Sequence, residues 1–378
     1  MPYQKPLPPQ YDGMTDAELA DRIARRKDDL GPSLCILGHH YQRDEVIRFA
    51  DFTGDSLKLS QLAASQDQAR HIVFCGVHFM AESADILSDD DKGVYLPNMR
   101  AGCPMADMAD DQAVAAALVE IGTMSDGPVV PISYVNSSAT VKALTGRAGG
   151  ACCTSSNVRN VFAWALAPRS AGGGGAKRIL AVPDQHLARN TALAMGYAPE
   201  ALAMYDPALP AGGLTGDDVA RATVVLWKGH CYVHQLFTAE HVRAARQEHP
   251  AIRVIVHPEC PREVVALADA SGSTEQIIRA VASGQDQDRW AIGTESHLVH
   301  RLARRHERMV IRVLSEGAAH CAQMARIDLR HLLWVLDNLA EGIPVNQVTV
   351  PADVAADART ALQRMIDIKA VDGLTPTG

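Results

Sequence analysis

No apolar run in this 378-residue chain reaches the roughly 18 to 20 residues needed to span a bilayer. The opening segment, MPYQKPLPPQYDGM, is rich in proline and lacks the apolar core of a signal peptide. The expectation is a cytoplasmic protein with no membrane partner. Basic charge is not in excess either: 36 Lys and Arg stand against 44 Asp and Glu, a formal net charge of −8, which points away from nucleic acid. Dense cysteine spacing is also missing. Eight cysteines scattered over the chain do not make a secreted disulfide scaffold, and reduced thiols in such a setting favour ligand or catalytic roles. The acidic balance leaves small anions open as ligands, because backbone N–H groups at helix starts bind them inside a negatively charged protein.

What the chain does contain is a motif repeated three times. A short apolar run ends in two polar residues spaced two apart: His39 and Tyr41 after Leu34–Leu37, Tyr134 and Asn136 after Val129–Ile132, His257 and Glu259 after Val254–Val256. A lone cysteine follows each pair, Cys103 and Cys321 at 64 residues from His39 and His257, and Cys231 at 97 from Tyr134. Three such units predict three similar lobes, bounded here at 16–110, 111–240 and 241–325, with a helical segment over 326–370 packing back on them. Equivalent atoms of three lobes converge on one point, so three thiols meeting there suggest a metal centre.

Within each unit strand and helix patterns alternate, which implies parallel sheets with helices on both faces. The expected fold is therefore α/β, three three-layer αβα lobes with pseudo-threefold symmetry around a central active site. Thr15 and Glu18 form a capping-box start for an amphipathic helix to about Asp29. The first unit then reads LCIL, a helix from about Ser56, HIVFCG, a helix from about Glu82, and GVYLP. The second reads VVPI, a helix after TSSN, RILAV and TVVLW; the third reads VIVH, a helix from Thr274, WAIG, a helix over HLVHRLARR, and MVIRVL. The extra residues of the middle unit fall in APRSAGGGGAKR and YAPEALAMYDPALPAGGLTGDD, whose Gly and Pro predict loops. RIDLRHLLWVLDNLAE reads as a closing helix, and the last dozen residues as poorly ordered.

Ligands of an open parallel sheet gather beyond the carboxyl ends of its strands, where the polar pairs sit. A set of hydroxyls follows in matching register, Ser56 and Thr274 at 17 residues from His39 and His257, and Ser155 at 21 from Tyr134. Each is placed at a helix start, where such a residue ordinarily caps its own helix. Three in register instead offer hydroxyls and helix dipoles to an anionic substrate. Among the cysteines, Cys35 and Cys75 sit in apolar strand patterns, and Cys152, Cys153 and Cys260 fall outside the repeated slot that Cys103, Cys231 and Cys321 occupy. Three thiolates suit zinc, with His234 as a fourth ligand, or an iron–sulfur cluster with one open iron. His234, His257, Glu259, Tyr41 and Tyr134 are the groups suited to proton transfer beside it.

These residues, as they stand in GHHYQ with GDSLKLS, FCGVHFMAESADIL, LPNMRAGCPMADM, SYVNSSATVKAL with CTSSN, VPDQHLARN, WKGHCYVHQLF, HPECPREVVALADASGST and IGTESHLVHRL, resemble the quinolinate synthase family in that family's order. The resemblance implies a triplicated α/β fold and a 4Fe-4S cluster on Cys103, Cys231 and Cys321. It implies substrate contacts at His39, Tyr41, Ser56, Tyr134, Asn136, Ser155, Ser273 and Thr274, and proton transfer among Tyr41, His234, His257 and Glu259. The reaction it implies condenses iminoaspartate with dihydroxyacetone phosphate to quinolinate, losing phosphate and two waters. An aspartate-oxidising enzyme is the expected functional partner. The stretch EGAAHCAQM lacks the CxxCxxC run of some relatives, so no local dithiol switch is expected at Cys321. The competing readings are an iron–sulfur hydro-lyase and a structural module closed around zinc.

Overall fold

The computed structural model describes residues 3–315, 317, 319–369 and 374–376. The chain divides into two compact units, one built from the residues up to Cys103 with Cys321–Pro351, the other from Pro104–His320 with the residues from Ala352 on.

The first unit holds one five-stranded sheet. Its strands β1 (Leu34–His39), β2 (Phe52–Gly54), β3 (His71–Cys75) and β4 (Gly93–Tyr95) are parallel in the order β4-β3-β1-β2, and the short segment Gln347–Val348 adds antiparallel to the β4 edge. β1 is buried at all six positions, as expected of a central strand covered by helices on both faces. The helix Asp16–Leu30 begins at the expected Thr15–Glu18 capping box and packs along the helix Leu329–Ala340. Asp337, buried between them, accepts from Arg22, Arg26 and the Tyr11 hydroxyl at 2.7, 2.7 and 2.9 Å. One carboxylate with three donors is the satisfied form of a buried charge.

The second unit holds two more sheets. β5 (Val129–Tyr134), β6 (Ala151–Cys153), β7 (Arg178–Val182), β8 (Leu202–Tyr205) and β9 (Val224–Trp227) run in the order β6-β5-β7-β9-β8. β10 (Arg253–Val256), β11 (Ala270–Ser271), β12 (Arg289–Gly293) and β13 (Val310–Val313) run β13-β12-β10-β11, with Thr375–Pro376 antiparallel on β11. Setting β8 aside, all three sheets share one parallel order in which the first strand is central and the second lies at its flank. That common order is what the threefold repeat in the sequence encodes. The helix Ala352–Asp367 closes on the helix Ala139–Arg147, and a Cβ on Gly146 would lie 2.1 Å from the Asp357 carbonyl, so only glycine permits that approach.

Some details differ from the sequence reading. The second insertion of the middle unit is not all loop: Leu202–Tyr205 extends the sheet as β8, with Tyr205 stacked on Trp227 at 5.5 Å. The helix expected from Glu82 begins at His78, where the His78 N–H donates to the Ala101 carbonyl at 2.7 Å. The flanking strands β2, β6 and β11 are two or three residues long and carry no periodic signal. Of the last dozen residues, Thr375–Pro376 are in a sheet, while 370–373 and 377–378 lie outside the described residues.

Candidate active site

In the second unit, the carboxyl ends of β5, β7, β10 and β12 supply a connected set of buried polar side chains. His257 directly follows β10, and the Glu259 backbone N–H donates to its Nδ1 at 3.3 Å. A backbone N–H only donates, so Nδ1 is an acceptor, and a neutral ring must carry its proton on Nε2. That Nε2–H donates to Ser155 Oγ at 3.3 Å. Burial, tempered by the Glu259 charge, pushes His257 down to about 3, so the ring is neutral at physiological pH. The same local bond recurs in the first unit, where Tyr41 N–H donates to His39 Nδ1 at 3.2 Å. The spacing of two in the polar pairs thus has a structural reason: residue i+2 fixes the imidazole of residue i.

His234, on the short helix Tyr232–Gln235, stacks on His257 with ring centres 4.6 Å apart. Its Nδ1 stands 2.7 Å from Glu259 Oε2, and its Nε2 is 3.2 Å from Thr294 Oγ1. Burial alone raises the pKa of Glu259, but the His234 and His257 imidazoles and the Tyr134 hydroxyl outweigh it and hold the carboxyl below its usual range. The result is an ionised carboxylate inside the protein, bracketed by two imidazoles and a phenol. Asp184 lies nearby with the opposite outcome: burial, then the charge of Glu259, pushes it well above the usual carboxylate range. Its Oδ1 caps the helix Gln185–Ala194 by accepting from Leu187 N–H at 2.6 Å, and its Oδ2 accepts from the Cys231 backbone N–H at 3.2 Å.

The three hydroxyls are not helix caps. Ser56 and Thr274 are each the first helical residue, and the preceding Asp55 and Ser273 do the capping, with Ser273 and Gln276 forming a capping box. Ser155 lies in a turn in which Asn157 Oδ1 accepts from the Thr154 N–H at 2.8 Å, before the helix Val158–Leu166. The structure therefore gives Ser273, expected to touch substrate, a structural task. Asn136 follows β5 with a buried Oδ1 that no donor among the described residues meets. Tyr134, Asn136, Ser155, His234, His257, Glu259, Ser273 and Thr274 belong to the second unit, and His39, Tyr41 and Ser56 to the first. Asp184 and Thr294 were not among the residues read from the sequence.

The cysteines divide cleanly. Cys103, Cys231 and Cys321 are partly accessible, and the other five are buried. Burial pushes Cys35 and Cys75 up to about 12 and holds Cys152, Cys153 and Cys260 above the usual thiol range, so these remain neutral thiols. The three thiols in the repeated slot are thus the ones that burial does not seal off from solvent. Cys231, His234 and Glu259 also bring one ligand atom each within 4.8 Å of one another. Both ring nitrogens of His234 already face protein partners, which argues against that ring as the fourth ligand of a closed zinc site. No helix among the described residues is long and apolar enough to cross a membrane.

A family model described as Quinolinate synthetase A protein matches residues 21–367. A quinolinate synthase of Anoxybacillus flavithermus is 48% identical over 360 residues, 95% of this chain and 96% of the relative. That of Geobacillus kaustophilus is 48% identical over 363 residues, 96% of each chain, and that of Rhodopirellula baltica 47% over 376 residues, 96% of this chain and 94% of its own.

Proposed function

Because this chain belongs to the quinolinate synthetase A family, we propose that it condenses iminoaspartate with dihydroxyacetone phosphate to quinolinate, releasing phosphate and two waters. Cys103, Cys231 and Cys321 hold a 4Fe-4S cluster, a ligand choice supported by their shared slot in the repeats and their accessibility among otherwise buried thiols. When bound, the cluster supplies an open iron that acts as a Lewis acid toward a substrate oxygen or nitrogen. The lobes at 16–110, 111–240 and 241–325 are read as copies of one α/β unit, supported by their common strand order, with 326–370 as the closing segment.

The remaining chemistry falls to side chains. Enolisation, imine formation and dehydration each require a proton to leave one atom and reach another. The observation that carries the reading is the chain Tyr134–Glu259–His234 with His257–Ser155: an ionised acceptor beside a neutral imidazole whose Nε2 proton points at a hydroxyl. In this reading Glu259, His257, His234 and Tyr41 move protons. Ser56, Ser155 and Thr274, none of them used as a cap, offer hydroxyls to the anionic groups of the substrates, with His39, Tyr134, Asn136 and Ser273 completing the contacts. The enzyme works in the cytoplasm beside an enzyme that oxidises aspartate to the unstable imine.

The test is anaerobic purification with iron and sulfide analysis, then assay for quinolinate from iminoaspartate generated in place and dihydroxyacetone phosphate. Quinolinate formation with about four irons per chain is expected. A cluster without quinolinate would move the reading to a hydro-lyase, and zinc without iron would overturn both.

A further inference from the structure

Ser155 sits in the turn between β6 and the helix Val158–Leu166. Among the described residues its hydroxyl meets a single side chain, the His257 ring at 3.3 Å, and one bond at the long end of the hydrogen-bond range does not fix a serine. What fixes the turn is Asn157. This residue is fully buried and stands at the N-cap of the helix, where an asparagine ordinarily accepts from the first turn; here its side chain makes no such bond. Its amide is used elsewhere. Oδ1 accepts from the Thr154 N–H and the Thr154 hydroxyl at 2.8 and 3.3 Å, and Nδ2 donates to the carbonyls of Met365 and Ile368 at 2.9 and 3.1 Å. A backbone N–H only donates and a carbonyl only accepts, so the two ends of the amide are assigned without ambiguity, and these bonds use every donor and acceptor site that an asparagine side chain has.

Both carbonyls belong to the C-terminal end of the helix Ala352–Asp367, where backbone acceptors have no partner within the helix. Asn157 thus caps the end of that helix and not the start of its own. The helix is seated independently of this contact: Arg364 Nη1 donates to the Gly150 carbonyl at 2.5 Å, just before β6, and Arg147 Nη1 pairs with Asp357 Oδ2 at 2.9 Å. We propose that Asn157 is a positioning residue that acts through Ser155: it ties the turn from Thr154 to Asn157 onto the seated helix and so sets where the Ser155 hydroxyl stands relative to His257 and the substrate. The closing helix, which carries none of the residues that touch substrate in the reading above, is then part of the active-site scaffold. The inference rests on that reading, in which the Ser155 hydroxyl is a substrate contact.

The experiment measures initial rates of quinolinate formation by anaerobic holoenzyme in Asn157→Asp and Asn157→Ala, each alone and combined with Ser155→Ala. Asn160→Ala is the control, since it breaks only the exposed bond from Asn160 Nδ2 to the Lys369 carbonyl at 2.8 Å. Aspartate keeps an oxygen for Thr154 but turns another toward the two carbonyls. Apparent KM should rise about tenfold in both Asn157 variants, and by less than about twofold where Ser155 is already alanine, because two residues that act through one hydroxyl are not additive. Iron content should match wild type throughout, and KM in Asn160→Ala should not change. An unchanged KM in both Asn157 variants would overturn the proposal. So would the same fold rise with and without the Ser155 hydroxyl, the mark of a purely structural residue, or an equal rise in Asn160→Ala. Amide hydrogen exchange of wild type needs neither a folded variant nor turnover: segments 154–158 and 362–369 should open together, at rates within about tenfold of each other, and independent opening would overturn the tie. Wild type whose two segments open together but which makes no quinolinate would overturn the condensation reading and leave the tie standing.

Discussion

The neutrality of buried His257 can be measured as a dependence of stability on pH. Its pKa is held at about 3 in the folded protein, against 6.5 ordinarily. The unfolded chain therefore takes up the proton first as pH falls, and the contribution of the neutral ring is complete above 6.5 and drains away toward 3. Linkage puts the loss between pH 7 and pH 5 at about 2 kcal/mol, and the loss by pH 3 at about 4 kcal/mol. Glu259 adds its own loss only below its ordinary 4.5, so the window from pH 7 to 5 isolates the imidazole. The comparison is wild type against His257→Asn, whose Oδ1 can still accept from the Glu259 N–H but which does not titrate. His71 and His186, also depressed by burial, contribute equally to both proteins and cancel. Three of the four tryptophans, Trp164, Trp227 and Trp290, belong to the second unit, so denaturant melts followed by intrinsic fluorescence report mainly on the part that holds His257. Wild type should lose about 2 kcal/mol more than the variant over that window. Parallel pH dependences, within about 0.5 kcal/mol, would refute the assignment of a neutral, buried ring.

Glu259→Gln keeps the shape and an acceptor for Tyr134 but removes the charge beside His234; kcat should fall about 10²- to 10⁴-fold with iron content unchanged, and wild-type turnover would remove Glu259 from the acid–base set. In Asp184→Asn the amide oxygen can still cap the helix at Leu187 while its NH₂ faces the Cys231 N–H, so helix content should hold while cluster loss on exposure to chelator speeds about tenfold; an unchanged rate would show that this bond does not position Cys231. Cys231→Ser should fail to reach full iron content, whereas Cys260→Ser, at a buried thiol outside the repeated slot, should bind iron and sulfide as wild type does. Removing the Ser155 hydroxyl with Ser155→Ala takes away the partner of His257 Nε2–H and should raise the apparent KM about tenfold, read from initial rates of quinolinate formation.

The local geometry of two of the three polar pairs was legible because it is set within a few residues of chain. A histidine at a strand end and a residue two further on are joined by one backbone hydrogen bond, and that bond exists at His39–Tyr41 and at His257–Glu259. Such a unit survives duplication with its spacing intact, so the sequence shows it directly. That the sheets are parallel was legible from the alternation of strand and helix patterns, whereas the order of strands within each sheet was not. The strand β8 was hidden because four residues among glycines and prolines gain their pairing from β9 and not from any pattern of their own. The flanking strands β2, β6 and β11 are hidden likewise.

Asp184 escaped notice for a different reason, and its position, like that of Thr294, shows where the repeat could have been read further. Both follow the third strand of a repeat: β7 ends at Val182 and β12 at Gly293, and Asp184 and Glu295 are the caps of the ten-residue helices that come next, at the place Val77 holds after β3. Aligning FCGVHFM, AVPDQHL and IGTESHL against one another exposes an acid at the cap in two repeats and an apolar residue in the first. A rule that assigns Ser and Thr at helix starts to capping fails at the doublets Asp55–Ser56 and Ser273–Thr274, where the first residue caps and the second begins the helix. In both doublets the residue read from the sequence as a helix-start hydroxyl, Ser56 or Thr274, is the first residue of the helix and leaves the capping to its neighbour.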